Sequence, residues 1–163
     1  MSTTDQAEGT FRVGVISDTH GHLDTKVAEI FKGVDHILHA GDIGFPALIL
    51  ELEYVAPVTA VLGNNDEGLS YKDLEVVEIR GRKFIIQHIV KPGEPEGKLQ
   101  RKIIRTNPDV VVFGHTHKRY CEAHQNVLYF NPGYSGKPRF NDPRSVAVLT
   151  CDATGITAEY FPL

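Results

Sequence analysis

The strongest constraint on the fold is a pattern that occurs three times in the first half of the chain. Short apolar runs at residues 11–17, 35–40 and 57–63 are rich in β-branched residues, and each is followed at once by a polar loop. Such runs are typical of buried strands. Helical patterns at residues 24–32 and 46–55 separate the three runs. This βαβαβ order predicts a largely parallel sheet with helical crossovers. Ligands of open α/β sheets bind beyond the carboxyl ends of the strands, so we expect the polar loops to gather at one edge.

The second half of the chain adds further strands and one helix. The pattern predicts a hairpin at 74–88, a helix at 97–106, a buried strand at 109–114, and two more hairpins at 119–130 and 145–161. A length of 163 residues fits one domain. We therefore expect an α/β fold in which two mixed β-sheets pack as a sandwich, with helices on the outer faces. The sequence predicts a frayed N-terminal segment over residues 1–10 and a single domain over residues 11–163.

Composition excludes several classes of function. The net charge of −4 and the pI of about 6.0 show no basic excess of the kind a general nucleic-acid binder has, so we expect no general nucleic-acid binding. The first ten residues lack the apolar core of a signal peptide, and no apolar run is long enough to cross a bilayer. We expect a cytoplasmic protein without a membrane partner. Cys121 and Cys151 are too few for a disulfide framework; a single bridge stays open, although two ordinary thiols in a reducing compartment are favoured.

Five loops that directly follow predicted strands carry unusual polar residues. These are S-D-T-H at 17–20, G-D-I at 41–43, G-N-N-D at 63–66, Q-H at 87–88 and G-H-T-H at 114–117. A mixed oxygen and imidazole donor set suits divalent transition metals. In an extended segment, residues two apart project to the same side, so both members of each Asp-x-His or His-x-His pair can face one site. The glycines at positions 41, 63 and 114 permit tight turns where the strands end.

Each motif taken alone has an ordinary structural explanation. Asp18 can cap a turn, Asn64 and Asn65 tolerate left-handed turn geometry, and His88 can be a satisfied core histidine. Five such motifs, each at the end of a predicted strand, are not explained by coincidence. Together they favour a metal site.

In their order along the chain, these motifs resemble those of the calcineurin-like metallophosphoesterase superfamily. The likeness is closest to its small single-domain phosphodiesterases of bacteria and archaea, and it extends from Phe11 to Phe161. The segment NPGYSGKPR at 131–139 also resembles the segment that follows the metal motifs in these small members.

The resemblance implies a site with two divalent metal ions. Manganese is the expected metal, and zinc, nickel, iron and magnesium are the alternatives. The implied reaction is the hydrolysis of a small phosphodiester by a hydroxide that bridges the two metals. The implied ligands are Asp18, His20 and His117 for the first metal, Asn64, His88 and His115 for the second, and Asp42 as a bridge between them.

The resemblance also implies catalytic and substrate-binding residues beside the ligands. Many superfamily members have a proton-donating histidine where this chain has Asn65, so the resemblance favours a phosphodiesterase over a phosphomonoesterase. We predict catalytic roles for Asp42, Asn65 and His39, although a half-buried strand position is the alternative for His39. Substrate contacts are predicted for Asn64, Asn65 and Arg139.

Other functions remain open at this point. A non-catalytic scaffold or interaction module is one alternative, because the phosphoesterase-like subunit of the retromer sorting complex shares the implied fold. A structural metalloprotein without turnover is another. A homo-oligomer is also an option, since the edges of hairpins on a small domain can pair.

Overall fold

The structure is a computed structural model that describes residues 9–163; the first eight residues of the predicted N-terminal segment lie outside the described residues. The described chain forms ten strands and three helices. In chain order they are β1 (Phe11–Ile16), α1 (Lys26–Ile30), β2 (His36–His39), α2 (Pro46–Glu53), β3 (Val58–Ala60), β4 (Leu74–Ile79), β5 (Arg82–Gln87), α3 (Gly97–Thr106), β6 (Val110–Val112), β7 (Tyr120–His124), β8 (Val127–Asn131), β9 (Ser145–Asp152) and β10 (Gly155–Pro162).

The first sheet contains the βαβαβ unit predicted from the sequence. Its strand order is β10-β9-β1-β2-β3. Strands β1, β2 and β3 run parallel, while β9 pairs antiparallel with β1 on the other side and β10 pairs antiparallel with β9. The sheet is therefore mixed, because the C-terminal hairpin extends the parallel core.

The second sheet has the order β4-β5-β6-β8-β7. Its three central strands, β5, β6 and β8, are parallel, and α3 provides the crossover between β5 and β6. The outer strands β4 and β7 pair antiparallel with their neighbours. Short apolar central strands and amphipathic outer strands agree with this arrangement, since only the central strands are covered on both faces.

The two sheets pack face to face, and the helices cover their outer faces. Between the sheets, side chains of the first sheet such as Val13 and Val15 pack with side chains of the second such as Phe84 and Phe130. A second apolar cluster joins the outer face of the first sheet to α1 and α2, and a third joins the second sheet to α3 through Leu99. This confirms the predicted sandwich with outer helices.

The parallel strands direct the polar loops to one edge of the sandwich. The loops after β1, β2, β3, β5 and β6 carry all seven residues predicted to bind metal. Hydrogen bonds join neighbouring loops within each sheet: Gly114 donates to the carbonyl of His88, and Asp18 donates to the carbonyl of Gly41. The His115 N–H donates to the Asp18 carboxylate and so joins the two sheets. None of the helices formed by residues 9–163 has the length and apolar character needed to cross a bilayer.

Candidate metal centre

The loops that carry the predicted ligands have an unusual backbone. Five of these residues have positive φ angles: Asp18 (56°), His20 (46°), Asp42 (54°), His115 (70°) and His117 (63°). A positive φ is uncommon outside glycine and costs free energy, and such residues cluster at functional sites. The expectation that each Asp-x-His or His-x-His pair lies in an extended segment is therefore corrected. Left-handed turns, rather than strand alternation, bring the side chains together.

The Asp18 carboxylate lies at the middle of the cluster and is fully buried. Its Oδ1 atom lies 3.2 Å from Nε2 of His117 and 3.8 Å from Nε2 of both His20 and His88. Its Oδ2 atom accepts hydrogen bonds from the Ser17 hydroxyl at 2.7 Å and from the His115 backbone N–H at 3.1 Å. One carboxylate oxygen is thus held by the scaffold, while the other faces three imidazoles.

A second buried carboxylate, Asp42, faces two of the same imidazoles. Its Oδ2 atom lies 3.3 Å from Nε2 of His88 and 3.6 Å from Nε2 of His20. The backbone N–H and the side-chain amide of Asn65 each donate to the Asp42 carboxylate at 2.9 Å. Burial alone raises the pKa of Asp42, but the hydrogen bonds from Asn65 and the neighbouring His88 and His20 outweigh it, so the pKa is lowered. Asp42 is therefore kept as an anion.

His88 is oriented by the backbone. Its Nδ1 atom lies 2.7 Å from the carbonyl oxygen of Ala40, an acceptor, so Nδ1 carries the proton and donates it. The Nε2 lone pair consequently faces Asp18 and Asp42. A histidine held in this way through one ring nitrogen is typical of a metal ligand. The next residue, Ile89, is half exposed and does not displace His88 from the cluster.

Three buried polar atoms of this cluster have no hydrogen-bond partner among residues 9–163: Oδ1 of Asp18, Nε2 of His20 and Nε2 of His88. Orphaned buried polar atoms are rare and call for an ion or a water. Two ligands of one transition-metal ion, each about 2.1 Å from it, are separated by up to about 4.2 Å. The separations of 3.2–3.8 Å between these carboxylates and imidazoles fit that limit.

These atoms form two groups that share one residue. Asp18, His20 and His117 offer ligand atoms within 4.8 Å of one another, and so do Asp18, Asp42 and His88. Two ions side by side, with carboxylates between them, would match this arrangement because an anion between two cations offsets their repulsion. The residues present therefore fit a pair of divalent cations.

Asn64 and His115 lie at the exposed side of the centre. Oδ1 of Asn64 and Nδ1 of His115 are 3.1 Å apart and form a hydrogen bond. The His115 ring lies 5.3 Å from the His88 ring, centroid to centroid. Asn64 and His115 are both exposed and His115 lies beside His88, so a ligand can reach this side of the centre from solvent.

Two residues predicted to act in catalysis are occupied by the scaffold. Asn65 donates to Asp42 from both its backbone N–H and its side-chain amide. His39 is fully buried rather than half buried: it accepts from the Gly41 N–H through Nδ1 at 3.2 Å and contacts the Thr19 hydroxyl through Nε2 at 3.0 Å. Burial lowers the pKa of His39 to about 3. A neutral, paired imidazole supports the loops and does not reach the open side of the centre.

Sequence reasoning missed the role of Asp66, the last residue of the G-N-N-D motif. Its carboxylate accepts three backbone hydrogen bonds, from Gly63 at 2.9 Å and from Ile43 and Gly44 at 3.0 Å. Asp66 thereby ties the loop that carries Asn64 to the loop that carries Asp42. The motif contained this residue, but its partners are not visible in the sequence.

The end of β8 and the segment after it support the loops that follow β6 and β1. The buried Asn131 side chain donates to the Gly114 carbonyl at 3.0 Å, and the Ser135 hydroxyl donates to the Ser17 carbonyl at 2.6 Å. Gly114 is also a spacing requirement, since a Cβ there would overlap the Ser17 hydroxyl and the Asp18 carboxylate. The loops are therefore packed too tightly for side chains at this position.

The predicted substrate residue Arg139 is exposed and lies near the centre through an aromatic neighbour. Its guanidinium carbon is 4.8 Å from the ring centroid of Tyr134. The Tyr134 ring in turn stacks on His117, with centroids 4.7 Å apart and planes at 28°. The buried Tyr134 ring was not predicted as part of the site.

The two cysteines are free thiols, Cys121 exposed and Cys151 buried.

Comparison with known proteins agrees with the fold and identifies the family. Residues 11–154 match the calcineurin-like phosphoesterase superfamily domain. The chain is 36% identical over 155 residues to a probable metallophosphoesterase of Methanothermobacter thermautotrophicus, covering 90% of each protein. A solved archaeal phosphodiesterase superposes with a TM-score of 0.75 at 30% identity, over 94% of this chain and 100% of that one.

A two-sheet sandwich with candidate metal ligands gathered at one edge is typical of metal-binding hydrolases. The chain belongs to the calcineurin-like phosphoesterase superfamily. Vacuolar Protein Sorting 29 of Cryptosporidium parvum has the same fold, with a TM-score of 0.73 at 18% identity over 94% of this chain and 98% of that one. That likeness concerns the fold alone.

Proposed function

We propose that this chain is a metal-dependent phosphodiesterase that hydrolyses small phosphodiesters at a dinuclear centre. The observation that carries the proposal is the set of buried, unpartnered atoms on Asp18, His20 and His88, which face one another among the described residues. The identity to a solved archaeal phosphodiesterase adds support for this activity. The proposed unit is a single domain over residues 11–163.

The two ions divide the ligands between them in our proposal. Asp18, His20 and His117 hold the first ion, Asn64, His88 and His115 hold the second, and Asp42 contacts both. The short distance from Asp18 to His117 supports the first ion. Asp42 lies close to both His20 and His88, which supports its contact with both ions. Manganese is the proposed ion, and the donor set of carboxylate, amide and imidazole groups also suits zinc, nickel or iron.

Two divalent ions, when bound, supply an acidified water and neutralise charge on the phosphate oxygens. The chain's own residues prepare this chemistry. The Ala40 carbonyl fixes the His88 tautomer, and Asn65 holds Asp42 as an anion with two hydrogen bonds. Asn64 and His115, on the exposed side, are where we place the substrate phosphate.

Asn65 directs the proposal toward diesters. An amide does not transfer a proton, so the poor leaving group of a phosphomonoester would have to depart without protonation by Asn65. Asn65 is a positioning residue for Asp42 in this proposal, and we assign His39 the same kind of role for the loops around Thr19 and Gly41.

The test is hydrolysis of bis(p-nitrophenyl) phosphate by protein stripped of metal and then supplied with manganese. We expect activity only after manganese is restored. Asp42→Asn and His88→Asn should each lose at least about 100-fold in kcat while the far-UV circular dichroism stays unchanged. His124→Asn, a matched change at the end of β7 and away from the centre, should retain full activity.

A scaffold function has no specific observation in its favour, because its likeness to the sorting protein concerns the fold alone. A scaffold function also gives no reason for the centre to contain buried polar atoms without hydrogen-bond partners among the described residues. Bound metal without hydrolysis of any phosphodiester would contradict the proposed activity and restore that alternative.

A further inference from the structure

A second feature adjoins the metal-type centre. A cavity of about 730 Å³ opens beside His117, and its walls include Lys118, Arg119, Arg139 and Leu163. Cavities of this size hold small organic ligands. Since His117 lines the cavity and lies 3.2 Å from Asp18, the cavity adjoins the metal-type centre.

The cavity is basic, although the chain as a whole carries a net charge of −4. Four cationic side chains line it: Lys118, Arg119, Arg139 and Arg144. Arg144 is neutralised by Asp24, whose carboxylate lies 3.1 Å away. Within residues 9–163, the other three form no ion pair. Among the described residues that line the cavity, Asp142 has the single carboxylate side chain, so the lining side chains carry a surplus of positive charge.

Two of these guanidinium groups are held in place with donors left over. Arg119 donates through Nε to the Ser145 hydroxyl at 3.1 Å, and its guanidinium carbon lies 4.7 Å from the Tyr160 ring centroid. Arg139 stacks on Tyr134 in the same way. The Nη groups of both arginines form no hydrogen bond within the described chain. A stacked arginine with a free donor fork is suited to bind phosphate in a bidentate manner.

The proposed centre would not need these cations, because two divalent ions bound there would already neutralise the phosphate that is cleaved. We propose that this basic cavity binds a second phosphate group of the substrate. The preferred substrate class is then a nucleotide-type phosphodiester that carries a further phosphate, rather than a diester with a single charge. Apolar walls formed by Pro138, Pro162 and Leu163 accommodate the group that links the two phosphates. This inference rests on the proposed function for the phosphate at the centre.

Direct binding tests the cavity without relying on turnover. Isothermal titration calorimetry on the full chain, with and without manganese, would compare thymidine 3′,5′-bisphosphate, thymidine 5′-monophosphate and inorganic phosphate. A charge-assisted contact to the second phosphate predicts roughly tenfold tighter binding of the bisphosphate than of the monophosphate. Inorganic phosphate that binds as tightly as the bisphosphate, with the same dependence on Arg119, would mean a free-anion site and would overturn the substrate role.

Charge-matched variants locate the contact. Arg119→Gln should reduce the preference for the bisphosphate to about twofold or less. Lys118→Gln should reduce it in the same direction, and it carries the test if Arg119→Gln lowers the melting temperature, because the Lys118 side chain is exposed. Arg101→Gln removes the same charge from the exposed side of α3 and should leave the preference intact. An equal loss in Arg101→Gln would show a general charge effect and overturn the proposal.

Hydrolysis separates this inference from the proposed function. The 5′-p-nitrophenyl ester of thymidine 3′,5′-bisphosphate should have a kcat/KM at least about tenfold above that of the ester without the 3′-phosphate. Hydrolysis of both esters at equal kcat/KM would overturn the cavity's role and leave the phosphodiesterase standing. No hydrolysis of either, with the binding preference intact, would overturn the phosphodiesterase and support the cavity.

Discussion

Removal of the Asp66 carboxylate should weaken both the fold and the metal centre, although Asp66 is not a proposed ligand. The carboxylate accepts backbone hydrogen bonds from Ile43, Gly44 and Gly63. Hydrogen bonds to a charged group contribute about 1.5–3 kcal/mol each. The bonds from Ile43 and Gly63 are partly buried and the one from Gly44 is exposed, so we count the first two at the lower end and expect a total of about 3 kcal/mol in Asp66→Ala.

The free energy of unfolding, measured by urea denaturation of the metal-free protein, checks this value. A loss of about 3 kcal/mol corresponds to a melting temperature lower by roughly 6–12 °C for a chain of this size. Manganese affinity, measured by calorimetry, should fall by about 10–100-fold, because the loops that carry Asp42 and Asn64 are no longer joined. Asp66→Asn keeps one carbonyl acceptor and should lie between Asp66→Ala and the wild type.

The neighbouring Glu67 provides the control, since it is exposed and its side chain contacts no described residue by a hydrogen bond or an ion pair. Glu67→Ala should change the free energy of unfolding by less than about 0.5 kcal/mol. A loss below about 1 kcal/mol in Asp66→Ala, or an equal loss in Glu67→Ala, would refute the argument that these three hydrogen bonds hold the loops.

Three further predictions concern titration, reactivity and specificity. The pKa of His39 is lowered from 6.5 to about 3, so below pH 6.5 the unfolded chain takes up a proton that the folded chain does not. Stability is therefore full above that pH and declines as the pH falls, by up to about 1.4 kcal/mol per pH unit. Acid unfolding of His39→Gln should be correspondingly less steep, and equal slopes would contradict the assignment. Burial raises the pKa of the Cys151 thiol to about 11, so a thiol reagent should modify Cys121 alone in the native protein and Cys151 only after unfolding; two fast native thiols would refute this. Asn65→His introduces a proton donor and should raise the hydrolysis of glycerol 2-phosphate, whose alkoxide leaving group needs a proton, by about tenfold or more relative to bis(p-nitrophenyl) phosphate, whose nitrophenolate leaves without one; an unchanged ratio would remove the argument from leaving-group protonation.

The positions of the candidate ligands were predictable because they depend on local pattern. Each lies directly after a short apolar strand, and parallel strands end at the same edge of a sheet. Asp18 and Asp42 follow β1 and β2, and these strands pair in parallel as the βαβ pattern predicts. The assignment of elements needed only hydrophobic periodicity and the breaks between runs.

The contacts that hold the loops were not predictable, because they join residues far apart in the sequence. Ser135 supports the Ser17 carbonyl across 118 positions, and Asp66 reaches Ile43 across 23. The pairing of β9 with β1, which makes the first sheet mixed, is another long-range choice. Periodicity describes which face of an element is apolar and leaves its partner undetermined.

The left-handed backbone at the ligands shows a different limit. The sequence pattern at Asp18 and His20 suggested an extended segment, and the structure has positive φ angles at both. Packing with the loop after β2 outweighs the local preference, because Asp18 and His20 donate backbone hydrogen bonds to the carbonyls of Gly41 and Asp42. The same packing leaves His39 fully buried, where its position in a strand predicted partial exposure.

The most direct test of the account is the location of metal ions in crystals grown with manganese, by anomalous diffraction. We predict two peaks per chain, one bound by Asp18, His20 and His117 and the other by His88 and its neighbours, with Asp42 within about 2.4 Å of both. A single peak away from Asp42, or none within about 2.5 Å of Oδ1 of Asp18, would contradict the dinuclear centre.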